Sequence, residues 1–258
     1  MIDIHNHIVY GVDDGSRSLD ESMKMVDLYM KAGFSEIIAT SHFDRSRYMV
    51  EASEIREKVD ILNKTIENKG LSFKIHPGHE IQVEAGMEKK LKSGELLTLN
   101  DSRYVLCELS FVNKPNFLGE LFYSLGLEGY VPIIAHAERY PYVEKDIDWL
   151  LDFIKKGALV QINYSSIKSH KEITKTLLER NMVHLIASDA HQSEWRNPEI
   201  TAYKEEILEI IGKEKFEKLT MTNPSLIIGD QFISSEYDKV KVEKKKEKKS
   251  IFNFWRRK

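Results

Sequence analysis

The chain has 258 residues, 41% hydrophobic and 31% charged, with a formal net charge of −3; this is enough apolar material for one large α/β domain or two small ones. The charge is uneven: residues 239–258 carry +8 and residues 1–238 carry −11, and an acidic body argues against nucleic acid as a substrate, because the phosphate backbone requires a positive surface. The single cysteine, Cys107, excludes an internal disulfide and suits a reducing cytoplasm, while neither a secretion signal nor a membrane-spanning apolar run is expected from the residues present.

The opening "MIDIHNHIVYGVDDGS" predicts a strand. Side chains alternate along a strand, so Asp3, His5 and His7 would share one face and Ile2, Ile4, Asn6 and Ile8 the other. "SRSLDESMKMVDLYMKAGFSEIIAT" reads as helix then strand. Ser18 with Glu21 fits a capping box, and Gly33 is expected at the helix C-terminus. A second helix is expected over 51–69, then a strand "FKIHPGHEIQV" with a Pro-Gly interruption, a strand "YVLCELSF", a helix over 115–129 and a strand "VPIIAHAERYP". "IDWLLDFIKKGALVQINYSS" and "ITKTLLERNMVHLIASDAH" each read as helix then strand. Strands alternate with helices and no link reads as a hairpin, which implies a parallel sheet with crossover helices. About seven such units in roughly 230 residues predict an α/β fold closed as a distorted (β/α)7 barrel.

The strand ends share a chemistry. His5 and His7 follow the first strand, with Asp13 and Asp14 in the next loop. His42 lies in "ATSHFD", Glu80 in "PGHE", Glu108 in "CEL", His136 in "AHAERY", and Asp189 and His191 in "ASDAH". In a parallel barrel the C-terminal strand ends lie on one face, where active sites sit. Carboxylates grouped there repel one another unless cations neutralise them. Mixed imidazole and carboxylate donors suit Mn, Zn or Fe(II) better than Ca or Mg. Nine donors exceed the needs of one ion and predict two or three. Cys107 is not a phosphatase nucleophile: Asn113 stands where a cysteine-based phosphate loop needs arginine. His76, His79, His170 and His184 are read as packing or surface residues.

Taken as a set, "DIHNH", "DDG", "TSH", "GHE", "CEL", "AHAERY" and "SDAH" resemble the PHP (polymerase and histidinol phosphatase) family. Over residues 1–230 the closer resemblance is to its metal-dependent bacterial protein tyrosine phosphatases of capsule and exopolysaccharide loci, the CpsB/YwqE group. That resemblance implies a distorted TIM-like barrel holding three metals. One metal would take His5, His7, Glu80 and Asp189. A second would take Glu80, Glu108 and His136, with Glu80 bridging, and a third Asp14, His42 and His191. Asp13 and Asp14 both remain candidates; Asp14 is preferred because the family's ligand precedes a glycine. Arg139 and Arg196 resemble the family's phosphate-contacting arginines, although Arg139 also has Glu138 beside it as an ion-pair partner. The implied activity is hydrolysis of phosphotyrosine by a metal-activated hydroxide, with Mn as the expected metal and Fe or Zn as substitutes. The implied substrate is a membrane-associated bacterial tyrosine kinase that controls polysaccharide export. A small-molecule phosphatase of the histidinol-phosphate type is the alternative.

The organisation expected is a phosphatase domain over 1–235 and a flexible basic aromatic tail over 236–258. The end "KKKEKKSIFNFWRRK" interleaves Lys and Arg with Phe252, Phe254 and Trp255. That mixture fits an anionic membrane surface as well as a solvated tail or docking on an acidic protein. A cytoplasmic enzyme peripheral to the membrane is the resulting expectation.

Overall fold

In the computed structural model, which describes residues 1–235, seven strands pair in parallel around a barrel. They are β1 (Ile2–Asp3), β2 (Glu36–Asp44), β4 (Lys74–Gln82), β5 (Tyr104–Glu108), β6 (Val131–Ile134), β7 (Leu159–Asn163) and β8 (Leu185–Ala187), neighbours in that order. An eighth, β3 (Tyr48–Met49), pairs antiparallel with the end of β2, Asp44 opposite Tyr48. The expectation of no hairpin is therefore corrected: a short return strand after "HFDRSRYM" adds one. The expected tail and its membrane contact fall at 236–258, outside the described residues. Among the described residues no helix is long and apolar enough to cross a membrane.

The connections are mostly helical. They are α1 (Leu19–Lys31), α2 (Ala52–Asn68), α3 (Met87–Ser93), α4 (Leu118–Leu127), α5 (Pro141–Lys145), α6 (Ile147–Lys155), α7 (Ser166–Ser169) and α8 (Lys171–Glu179). After β8 come α9 (Thr201–Glu217) and α10 (Asn223–Ile228). Ser18 caps α1 by accepting from the Glu21 N–H at 3.2 Å. The reciprocal half of the expected capping box is missing, because the Glu21 carboxylate instead accepts from the Ser193 N–H at 2.6 Å. That bond ties α1 to the loop beyond β8. Gly33 ends the helix in the left-handed region (φ +86°), a conformation that costs other residues energy.

Apolar side chains form two layers. Ile4, Ile38, Leu106, Ile133 and Leu185 fill the barrel interior together with Leu99, Tyr104 and Ile227, all fully buried. A larger cluster lies between the strands and the surrounding helices and includes Ile37, Val105, Cys107, Ile134 and Ile162. Alternation along each strand sends successive residues to the two layers, and each such buried aliphatic contributes about 1.5–3 kcal/mol. Residues before β5 and after α10 plug the N-terminal end: Asn100 donates to the Ile228 carbonyl (3.1 Å) and the Tyr104 hydroxyl to that of Gln231 (2.7 Å). The opposite, C-terminal end is left for chemistry.

The barrel closes between its first and last strands. Asn6 bridges Ala190 in parallel, the His7 N–H donates to the Ala190 carbonyl at 2.8 Å, and the Asp189 N–H donates to the His5 carbonyl at 2.8 Å. The loop after His7 then folds back onto it. A Cβ on Gly15 would lie 2.1 Å from the His7 carbonyl oxygen and 2.5 Å from its Cβ, so only glycine allows the return. Gly15→Ala is expected to destabilise the protein by about 1–3 kcal/mol through overpacking. Gly126→Ala, on α4 with open space around it, is expected to stabilise by about 0.5–1 kcal/mol. Thermal melts of the two variants should therefore shift in opposite directions.

Candidate metal centre

Nine side chains meet at the C-terminal end of the barrel. His42 and Glu80 come from β2 and β4, and Glu108 is the last residue of β5. His5 and His7 follow β1, His136 follows β6, Asp189 and His191 follow β8, and Asp14 comes from the loop that Gly15 turns. Contacts of 2.9–3.9 Å link all nine. His5 Nε2 and His7 Nε2 lie 3.1 and 3.4 Å from Glu80 Oε2, and 3.6 and 3.4 Å from Asp189 Oδ1. His136 Nε2 lies 2.9 Å from Glu80 Oε1 and 3.6 Å from Glu108 Oε1. His42 Nε2 and His191 Nε2 each lie 3.5 Å from Asp14 Oδ1. The fold brings the residues of the three expected sets into one cluster, in which Glu80 contacts His5, His7, His42 and His136. His42 and His7 also stand between those sets: His42 Nδ1 lies 3.1 Å from Glu80, and His7 groups with Asp14, His42 and His191 as well as with His5 and Glu80.

Asp13 and Asp14 separate by geometry. The Asp13 side chain is buried and saturated by His7 Nδ1 (2.9 Å), the His42 N–H (3.0 Å) and the Gly15 N–H (3.0 Å). Asp14 is half-exposed and faces His42 and His191. Asp3 is not in the cluster, contrary to the alternation expected along "IDIHNH". Regular pairing of β1 stops at Asp3, so the period of two does not carry through His5. The Asp3 carboxylate instead accepts from the Tyr29 hydroxyl (2.7 Å), from Ser188 (2.6 and 2.9 Å) and from Asn6 Nδ2 (3.3 Å), and Asn6 sits on its side. His79 packs in the outer layer and accepts from the Leu97 N–H at 2.9 Å.

Two residues of β7 support the cluster and were not singled out in the sequence. Gln161 Oε1 lies 3.0 Å from His5 Nδ1 and accepts from the His136 N–H at 2.8 Å. Gln161 Nε2 donates to Asn163 Oδ1, and Asn163 Nδ2 donates to Asp189 Oδ2, both at 2.8 Å. The signal was available: two amides spaced i, i+2 in the otherwise apolar "LVQIN" point into the barrel. His136, Asp189 and Arg196 all adopt positive φ (31°, 52° and 50°), a conformation that costs about 1–3 kcal/mol each in a non-glycine residue. The hydrogen bonds around them hold that strain in place.

The electrostatics favour cations. Burial opposes ionisation of Glu80 and Asp189, yet His5 and neighbouring groups hold both carboxyls well below the usual range. Burial also opposes a charge on His5, but Glu80 and Asp189 pull it up to about 9. Burial and the nearby Glu80 push Glu108 up to about 8. Burial lowers His42, His136 and His191, the last to about 4. Burial thus favours the neutral, metal-binding form of the outer imidazoles, while the central carboxylates favour a proton on His5 and His7. His5 Nε2, His7 Nε2 and His191 Nε2 are buried without a hydrogen-bond partner, aimed at carboxylates. Such a donor set fits divalent transition ions, which would replace those protons.

Arg139 and Arg196 stand at the rim. Arg139 Nη1 donates to Asp189 Oδ2 at 3.1 Å, and Arg196 Nη2 lies 2.6 Å from the same oxygen. Arg139 does not pair with Glu138, whose buried carboxylate accepts from the Asn163 N–H and the Ser166 hydroxyl. Both arginines are about one-third exposed and line a pocket of about 140 Å³ over the cluster, with Tyr48 and Phe111 on its walls. They also line an adjoining cavity of about 560 Å³ that runs past Ser165, Trp195 and Tyr203.

Comparison with known proteins gives the chain its relatives. Residues 1–229 match the family described as "Capsular polysaccharide synthesis, CpsB/CapC". The tyrosine-protein phosphatase YwqE of Bacillus subtilis is 34% identical over 241 residues, covering 90% of this chain and 93% of that protein. A crystal structure from work on YwqE of Bacillus subtilis and CpsB of Streptococcus pneumoniae, described as metal-dependent tyrosine phosphatases, superposes with a TM-score of 0.87 at 34% identity, over 92% of this chain and 97% of that one. The histidinol phosphate phosphatase of Lactococcus lactis superposes with a TM-score of 0.57 at 15% identity, over 92% and 98%, respectively. It shares the barrel fold. With a family match spanning the described barrel and its cluster, this chain belongs to the CpsB/CapC capsular polysaccharide synthesis family.

Proposed function

We propose that this chain is a metal-dependent protein tyrosine phosphatase that acts on a phosphotyrosine protein in capsule or exopolysaccharide synthesis. The observation that carries the reading is a linked cluster of nine imidazoles and carboxylates, six of which (Asp14, His42, Glu80, Glu108, His136 and Asp189) line one pocket together with Arg139 and Arg196. The adjoining 560 Å³ cavity supports a polypeptide substrate over a small metabolite, because it offers room beside the phosphate site. His5, His7, Glu80 and Asp189 would hold one ion, Glu80, Glu108 and His136 a second, and Asp14, His42 and His191 a third. Mn is the ion proposed, with Fe or Zn as substitutes. When bound, such ions lower the pKa of water and neutralise phosphoryl oxygens.

The chain's own residues do the rest. Arg139 and Arg196 keep N–H groups free of Asp189 and bind phosphoryl oxygens in the planar fork that suits them. Asp189 orients both guanidiniums through one oxygen while its other oxygen faces His5 and His7. Gln161 and Asp13 fix the rings of His5 and His7, so the imidazoles need not reorganise during reaction. Phosphoryl transfer requires positioning and charge neutralisation more than covalent help from the protein. Residues 1–235 form the catalytic domain in this reading. The 236–258 tail brings it to an anionic membrane on the cytoplasmic side, where a membrane-associated tyrosine kinase is the substrate.

Three outcomes follow. Elemental analysis after Mn supplementation should find two or three equivalents per chain, and Glu80→Gln should lose both metal and turnover; wild type with zero or one equivalent would overturn the cluster. Arg139→Ala should lower kcat on a phosphotyrosine peptide by about 10²-fold, as loss of one transition-state donor does elsewhere, with metal content unchanged. Cys107 is buried and its thiol is pushed up by burial, so Cys107→Ser should keep most activity and chelators, not thiol alkylation, should inhibit. An inactive but folded Cys107→Ser variant would sink the metal-hydrolytic mechanism.

A further inference from the structure

We infer that Tyr48 and Phe111 form an aromatic slot that holds the phenyl ring of the phosphoester and selects aryl over alkyl phosphates. This rests on the phosphatase reading and goes beyond it, since nothing in the ligand set distinguishes phosphotyrosine from any other phosphomonoester.

Each ring stacks on an imidazole that contacts one carboxylate, Glu80. Tyr48 stacks on His42, with ring centroids 5.8 Å apart and planes 12° from parallel. Phe111 stacks on His136 at 5.5 Å and 24°. His42 and His136 approach the two different oxygens of Glu80, at 3.1 and 2.9 Å. Both stacked pairs therefore converge on Glu80, and both aromatic residues line the 140 Å³ pocket that Glu80 also lines.

Each ring is held in advance. Tyr48 sits in the β3 pairing opposite Asp44, which the hairpin after β2 provides. Phe111 is 38% exposed, yet it packs against Tyr140 at 5.2 Å and lies under the Arg139 guanidinium at 5.1 Å. Arg139 thus joins the phosphate-binding rim to one wall of the slot. A phosphoryl group placed at Arg139 and Arg196 directs its ester oxygen outward, between the rings. A phenyl group on that oxygen meets aromatic faces or edges on both sides, whereas a short alkyl group leaves the slot unfilled. Aromatic pairs of this kind prefer centroid separations of about 4.5–7 Å.

The test uses the full chain loaded with Mn and two non-hydrolysable probes, phenylphosphonate and methylphosphonate, with binding read by calorimetry. Wild type should bind phenylphosphonate at least about tenfold more tightly. Phe111→Leu and Tyr48→Leu should each lose roughly fivefold of that preference while methylphosphonate binding and metal content stay unchanged. Phe111→Tyr and Tyr48→Phe should retain it. A parallel fall in both ligands would mean that the rings only shield the imidazoles, and an unchanged preference would mean that the slot is elsewhere; either overturns the proposal. Turnover of a phosphotyrosine peptide separates the two readings. Hydrolysis without ring dependence removes the slot alone, and ring-dependent phenylphosphonate binding without hydrolysis removes the phosphatase reading alone.

Discussion

The seam between the first and last strands is the constraint on which the rest depends. Two backbone hydrogen bonds, His7 to Ala190 and Asp189 to His5, close the barrel. Three of the four residues that make them, His5, His7 and Asp189, also place their side chains in the cluster. Barrel closure and site assembly are thus one event: His5 and His7 meet Asp189 and His191 only when strand one lies beside strand eight. The return loop through Gly15 then locks His7 from behind and brings Asp13 and Asp14 to their different positions.

A second consequence follows from the charges. Four carboxylates and five histidines in a largely buried space would destabilise the barrel unless the charges offset one another. The protein manages this through pairing and through a buried amide relay. Gln161 touches His5 and His136, Asn163 touches Asp189, and the two amides touch each other. The central carboxylates favour protonation of His5 and His7, and divalent ions at the same place would offset their charge more completely. Metal binding at this cluster would therefore be coupled to stability, because ions that bind only the folded chain stabilise it by mass action.

The rim adds shape to this charge. The positive-φ backbones of His136, Asp189 and Arg196 turn the chain sharply just past the strand ends, and such strain persists only where surrounding bonds over-determine it. Those turns place Arg139 and Arg196 on one carboxylate oxygen rather than apart. The hairpin after β2 adds Tyr48, which lines the same pocket as Phe111 and Glu80.

Much of this was legible in the residues themselves. Strand-helix alternation predicts a parallel barrel, because parallel strands need crossovers and crossover helices cover both faces of the sequence pattern. Most of the clustered residues could be read from "apolar run, then His or carboxylate", since a barrel places such ends on one face; Asp14, in a loop, came instead from the family resemblance. Local pattern failed where contacts distant in sequence decide. Alternation put Asp3 with His5, but β1 pairs regularly only to Asp3, and Tyr29 and Ser188 claim its carboxylate. The capping box at Ser18 and Glu21 is half-formed because Ser193, 172 positions away, takes the glutamate. Gln161 and Asn163 carried no motif, and only the folded barrel shows that they touch the imidazoles. The sequence alone determined the element order and the kinds of donor, because these depend on periodicity and residue type. The tertiary structure decided that Asp14 rather than Asp13 faces His42 and His191, that Arg139 turns to Asp189 instead of Glu138, and that two aromatic rings line a pocket with Glu80, because each is a choice among partners that the chain brings together only by closing.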